Sequence, residues 1–155
     1  MLKVLFLAAS PLEKDRLVLD EEVRAIDAKV RGADHRDRIQ LLSHWAVRLD
    51  DLSGTLQRHR PHVVHFSGHG EKSGAIVLSG ESGKAKEVPP TALAGLFRVL
   101  KGNVRVVVFN ACHSAALAQA IVKEIDCAVG VSDEVIDDHA VAFAGEFYQC
   151  LAYGG

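Results

Sequence analysis

Residues 106–114 read VVVFNACHS, an apolar run that ends abruptly in a polar and chemically reactive segment. The consecutive β-branched and aromatic residues favour a strand covered on both faces. Residues 62–70 read HVVHFSGHG and repeat this arrangement, with a histidine between two glycines after the apolar part. Buried strands ending in polar segments are typical of a parallel sheet, where reactive groups gather at the carboxyl ends of the strands.

The rest of the chain alternates between strand-like and helix-like segments. The predicted strands cover residues 4–9, 39–47, 62–66, 75–78, 86–88, 104–109 and 127–131, with 75–78 and 86–88 forming a hairpin. The predicted helices cover residues 19–30, 49–56, 89–100, 115–125 and 138–153. This order predicts an α/β fold, a three-layer sandwich whose mainly parallel sheet has helices on both faces.

Length and composition narrow the classes of protein. The chain has 155 residues, which suits one domain over 1–155, and 48% hydrophobic and 25% charged residues argue against disorder. A net charge of -2 offers no electrostatic reason for a nucleic-acid or membrane partner. No apolar run reaches the roughly 18 residues that cross a bilayer, and the short apolar start predicts a buried strand. Three cysteines without CxxC spacing argue against disulfides and structural zinc, and so favour the cytoplasm.

His69 and Cys112 each follow the carboxyl end of a predicted strand. If the two strands are neighbours, about 5 Å apart, these side chains can face each other across a cleft. The pair suits nucleophilic acyl transfer, because a thiolate attacks while an imidazole takes its proton and later protonates the leaving amine. The N–H groups of Gly70 and Cys112 could hold the oxyanion of the intermediate.

Both residues also have an ordinary structural interpretation. A cysteine after a buried strand is usually an inert small hydrophobe, and a histidine in a glycine-rich loop is usually a turn residue. Their occurrence at equivalent strand ends favours the catalytic interpretation for His69 and Cys112. Cys127 and Cys150 are predicted to be core residues, because one falls inside a strand and the other inside a helix.

A metal site was the alternative use of the histidines. It would draw on His62, His65, His69, His113 and Cys112. The odd spacing of His62 and His65 places them on opposite faces of a strand, so they cannot ligate one ion together. No phosphate-binding glycine motif occurs either, and we therefore expect neither metal nor any other cofactor.

Taken together, HFSGHG at 65–70 and FNACHS at 109–114 resemble the two signature blocks of CHAT domains. These are caspase-like cysteine proteases related to separase, with the caspase–hemoglobinase fold. The similarity extends to FLAASP at 6–11, RLVLDEE at 16–22 and VGVSD at 129–133. Two blocks in the right order with agreeing flanks form a fairly specific resemblance over almost the whole chain.

The resemblance implies His69 as general base, Cys112 as nucleophile and the Gly70 and Cys112 N–H groups as oxyanion donors. In separase-like members an acidic residue after the strand that follows the cysteine helix often selects a basic P1 side chain, and Asp133 has the matching position. The alternative is Arg16 after the first strand, where true caspases present an arginine to an acidic P1 residue. Without a pocket role, Asp133 would be a turn or capping carboxylate and Arg16 a solvated charge.

The sequence departs from the family in two respects. The Trp-Pro segment common before Ser132-Asp133 is absent, which predicts a different pocket wall, and the chain ends at Gly154-Gly155, where family members commonly continue. CHAT domains are usually attached to repeat or adaptor modules. No such module is present in the sequence, so we expect control by a regulatory protein partner in trans.

The resulting hypothesis is a cytoplasmic cysteine endopeptidase, a thiol protease that cleaves a protein substrate after a basic residue. The resemblance implies a setting in bacterial defence or regulated death. Two other classes stay open: a catalytically silent interaction module of the same fold, and a small-ligand sensor using the cleft at the strand ends.

Overall fold

The computed structural model describes residues 1–9, 19–45, 47–134 and 137–153. The strands are β1 (Leu2–Ala9), β2 (Ile39–His44), β3 (Val63–Gly70), β4 (Ile76–Ser79), β5 (Ala85–Val88), β6 (Val106–Asn110) and β7 (Cys127–Val129). The helices are α1 (Leu19–Arg31), α2 (Leu49–His59), α3 (Pro90–Leu100), α4 (Ala115–Ile121) and α5 (Asp137–Ala152). Within these residues no helix is both long and apolar enough to span a membrane.

Across the described residues, seven strands form one sheet. Its parallel part runs in the order β2, β1, β3, β6, β7, and the antiparallel hairpin of β4 and β5 joins the carboxyl end of β3. The strands before both reactive segments, β3 and β6, are therefore direct neighbours, as the catalytic hypothesis requires. All parallel strands end at one edge of the sheet, which becomes the location of the candidate site.

Helices cover both faces of the sheet. Leu56 of α2, Phe97 of α3 and Ile121 of α4 are buried in the apolar cluster on one face. On the other face, Ile26 of α1 and Tyr148 of α5 are buried in a second cluster. This is the mainly parallel α/β three-layer fold that the alternating pattern predicted.

The strand β3 is longer than its apolar pattern indicated. The prediction ended it at Phe66, but the structure continues it through Gly70. Gly68 still pairs with Ala9 of β1, and His69 then pairs with Val77 of the hairpin. The hairpin thus supplies backbone partners for the glycine-rich end, and His69 lies in a strand instead of a loop.

The prediction that Cys127 and Cys150 are core residues was wrong, because both are exposed. Cys127 begins β7, which is an edge strand of the parallel part. The buried stripe of α5 consists of Ala144, Tyr148 and Ala152, four residues apart, and Cys150 falls outside that stripe. A strand or helix location alone does not determine burial.

Candidate active site

The register of β3 and β6 brings the two reactive segments level with each other. Ser67 and Asn110 are partners in this parallel ladder, and the rings of the preceding pair, Phe66 and Phe109, stack with centroids 5.4 Å apart. His69 lies two residues after Ser67, and Cys112 lies two residues after Asn110. The two residues therefore lie equally far along the chain from the last ladder pair, His69 in β3 and Cys112 in the turn that follows β6.

A backbone contact joins the two segments beyond the ladder. A β-carbon built on Gly70 would lie 1.8 Å from the carbonyl oxygen of Cys112 and 3.2 Å from its backbone nitrogen. No side chain fits there, so glycine is required by close approach of the backbones. The residue after His69 thus contacts the backbone of Cys112 itself.

The backbone turns sharply after Cys112. His113 has a φ of 55°, in the left-handed region that costs a non-glycine residue about 1–2 kcal/mol. Ser114 holds the turn, since its Oγ donates to the Ala111 carbonyl at 2.7 Å and accepts the Val131 N–H at 2.9 Å. Such strained conformations cluster at active sites, where the surrounding structure enforces them.

The segment after β7 packs against this turn and carries Asp133. The Asp133 carbonyl accepts the His113 N–H at 3.0 Å, so Asp133 lies beside the residue that follows Cys112. The Asp133 side chain is exposed, and its Oδ1 accepts the Glu134 N–H at 2.9 Å. The competing specificity residue, Arg16, lies outside the described residues.

Both candidate catalytic side chains are partly accessible. His69 and Cys112 are half-buried. A small cavity of about 10 Å³, room for roughly one water molecule, lies beside His69 and is lined by Gly68, Ile76 and Ala111, among others. The thiol and the imidazole of the candidate site can therefore both be reached from solvent.

The histidines considered for a metal site are not brought together. The Nδ1 atom of His62 accepts the Lys3 N–H at 3.0 Å, at the amino end of β3. His65 is fully buried, and both of its ring nitrogens have partners in the protein. Within the described part of the chain, no three His, Cys, Asp or Glu side chains form a cluster that could hold a metal ion.

A buried polar network under the site was missed by the sequence analysis. Glu22 of α1 is only 2% exposed, and its Oε1 accepts hydrogen bonds from His65 Nε2 at 2.7 Å and Asn110 Nδ2 at 2.8 Å. Ser67 Oγ donates to the other carboxylate oxygen, Oε2. The hydroxyl of Tyr148 lies 2.9 Å from His65 Nδ1. The sequence did hold a signal for a polar network. His65, Ser67 and His69 are polar and two residues apart, so they lie on the same face of a strand.

The pKa of Tyr148 is raised well above its ordinary value of 10.0, first by burial and then by the negative charge of Glu22. The chain has two tyrosines, and the other, Tyr153, is 51% exposed. We expect Tyr148 to stay protonated until the chain unfolds. Because only the unfolded chain releases the Tyr148 proton near pH 10.0, stability falls as the pH rises above that value.

Tyrosinate absorbance followed together with circular dichroism measures this difference. A Tyr153→Phe variant should show no tyrosinate signal before its circular dichroism changes. Full ionisation of both tyrosines in a chain with native circular dichroism would contradict the expected shift.

The protein has three layers, a mainly parallel sheet with helices on both faces, and its histidine and cysteine segments meet at adjacent strand ends. This arrangement is that of a caspase-like fold. The model of the CHAT domain family matches residues 11–155, and the chain belongs to the CHAT domain family. It is similar to a Roc-COR-CHAT protease of an unknown prokaryotic organism, with 28% identity over 156 aligned residues, 96% of this chain and 15% of that protein. It is also similar to a probable protease of Gillisia limnaea, with 22% identity over 97% of this chain and 27% of that protein. The chain thus spans well under a third of each relative.

Proposed function

We propose that this CHAT domain, residues 1–155, is a cysteine endopeptidase in which His69 and Cys112 form the catalytic dyad. The observation that carries the proposal is the contact between Gly70 and the Cys112 backbone, where even a β-carbon has no room. The position of His69 and Cys112, each two residues after the Ser67–Asn110 ladder pair, adds to it. The names of the two similar proteins, both called proteases, agree with this activity.

The chemistry follows from these groups. His69 takes the proton of the Cys112 thiol, the sulfur attacks the scissile carbonyl carbon, and a tetrahedral oxyanion forms. The N–H groups of Gly70 and Cys112 donate to that oxyanion. The C–N bond then breaks as His69 gives its proton to the leaving amine, and a thioester remains on Cys112. Water, deprotonated by His69, attacks the thioester and releases the acid product and the thiol.

Asp133 is our candidate for substrate selection. Its backbone is tied to His113, next to the nucleophile, while its carboxylate is exposed to solvent. A carboxylate in that place attracts a positively charged side chain through charge-assisted hydrogen bonds. The proposal is therefore cleavage after arginine or lysine. Selection of an acidic P1 residue by Arg16 is the competing assignment.

The setting of the activity is part of the proposal. The substrate is a cytoplasmic protein, and the pathway is bacterial defence or regulated death, as the family resemblance implies. The similar Roc-COR-CHAT protease devotes most of its length to regions outside the matched part. This supports control of the peptidase by a regulatory protein region.

Activity-based labelling tests the enzyme class and the P1 preference together. An acyloxymethyl ketone peptide with P1 Arg should modify Cys112, and at least about 10-fold faster than the same peptide with P1 Asp, since one charge-assisted contact is worth about 1.5–3 kcal/mol. Mass spectrometry of tryptic peptides locates the label. The exposed Cys127 and Cys150 serve as internal controls, because an unselective electrophile would modify them as well.

The Asp133→Asn variant matches the wild type in size and lacks the charge. It should lose the preference for P1 Arg but keep its labelling by a P1 Leu probe. Faster labelling with P1 Asp would reject the basic-P1 assignment, and labelling confined to Cys127 and Cys150 would reject the peptidase proposal.

A further inference from the structure

Glu22 connects helix α1 to both strands of the candidate site. Its carboxylate accepts hydrogen bonds from Ser67 of β3 and from Asn110 of β6. With 2% of its surface exposed, water cannot replace these partners. A carboxylate this deep is stable only when its lone pairs are satisfied, so the geometry of the donors around it is tightly determined.

The two donors have a specific relation to the dyad. Ser67 and Asn110 are register partners and the last pair of the parallel ladder. Each lies two residues before a dyad member, Ser67 before His69 and Asn110 before Cys112. The Glu22 carboxylate therefore links β3 and β6 just before the segments that carry the two catalytic residues.

We propose that Glu22 is a positioning residue, whose carboxylate sets the spacing of the β3 and β6 ends and thereby the distance between His69 and Cys112. The inference rests on the proposed peptidase function and goes beyond it, because it assigns a catalytic requirement to a helix that contributes no reacting atom. A misplacement of about 1 Å between reacting groups costs on the order of 10²-fold in rate.

A purely structural role for the network predicts something different. Tyr148 belongs to the same network. Its hydroxyl contacts His65 at Nδ1, while Glu22 contacts the other ring nitrogen, Nε2. With Tyr148 donating to Nδ1 and His65 Nε2–H donating to Glu22, every atom of this branch is satisfied. Removing the Tyr148 hydroxyl therefore disturbs a buried hydrogen bond without touching Ser67 or Asn110, and Tyr148→Phe is the matched control.

The experiment compares Glu22→Gln, Ser67→Ala and Tyr148→Phe in a chain where Cys127 and Cys150 are serine. Cys112 is then the remaining thiol of the three in the sequence. Both kcat and KM are measured on a P1 Arg peptide, and the rate of Cys112 alkylation by iodoacetamide is measured without any substrate. Thermal unfolding reports the stability of each variant.

We expect Glu22→Gln and Ser67→Ala to lower kcat by about 30- to 100-fold, with KM changed by less than about 3-fold. In both variants the rate of Cys112 alkylation should fall to the rate that a His69→Ala variant of the same chain shows. Tyr148→Phe should lower the melting temperature by a similar amount and leave kcat within about 3-fold of the parent chain. Ser67→Ala removes one donor without burying a new group, so it tests the inference even if Glu22→Gln fails to fold.

Two failures can be distinguished. If alkylation of the parent chain does not depend on His69, the dyad and the proposed function are rejected. If the parent chain shows that dependence but Ser67→Ala loses no more kcat than Tyr148→Phe, the dyad stands and the positioning role of Glu22 is rejected.

Discussion

Replacing Cys112 by alanine is expected to lower the rate of peptide cleavage by at least about 10³-fold, because the bond-forming atom is lost. Replacing His69 by alanine should lower it by about 10²- to 10⁴-fold, because the thiol then has no general base. Initial rates on a P1 Arg peptide measure both effects. The double variant should be no slower than the slower single variant, since the two groups act as one unit.

Stability separates this chemical effect from a packing effect. Cys112 is half-buried at the end of a strand, so Cys112→Ala should change the free energy of unfolding by less than about 1 kcal/mol. Cys127→Ala is the matched control at an exposed cysteine and should preserve both rate and stability. A loss of several kcal/mol in Cys112→Ala would identify a core cysteine, and unchanged cleavage in His69→Ala would remove the case for a dyad.

Gly70→Ala is expected to be the most damaging substitution that adds a single methyl group. The new β-carbon would lie 1.8 Å from the Cys112 carbonyl oxygen, so the backbones of the two segments must separate. Overpacking of this kind costs about 1–3 kcal/mol. The same separation pulls His69 away from Cys112 and disturbs an oxyanion donor, and cleavage should fall by about 10²-fold or more.

Gly54→Ala provides the matched control for the added methyl group. Gly54 lies in α2, and a β-carbon at this position would have nothing within 4 Å, so alanine should stabilise the helix by about 0.5–1 kcal/mol. Its peptidase rate should stay at the wild-type level. Thermal unfolding and cleavage rates of the two variants give the comparison, and a Gly70→Ala chain that behaves like Gly54→Ala would refute the close contact.

Much of the fold could be predicted from local patterns. Apolar runs such as residues 106–109 and the helical spacing in residues 19–30 identify elements because a strand or helix face must bury its own apolar side chains. The predictions failed at the ends of some elements and where a single residue had to be assigned to the buried or the exposed face. The end of β3 is stabilised by a hairpin partner, and the burial of Cys150 depends on which side of α5 meets the sheet.

The burial of Glu22 could not be predicted from the sequence pattern. It lies in the first turn of α1 beside Asp20 and Glu21, where acidic residues normally lie in solvent and favour the positive end of the helix. Nothing local distinguishes the one that is buried. Its donors come from 43, 45 and 88 residues away along the chain.

The amino-acid sequence alone determined the class of fold, the family and the two segments that carry a histidine and a cysteine, because these depend on short-range periodicity and on motifs. The tertiary structure alone decided that β3 and β6 are neighbours, that Gly70 touches the Cys112 backbone, and that Glu22 is buried between Ser67 and Asn110. Those relations join residues distant in sequence, and they exist only when long-range packing brings the strands and α1 together.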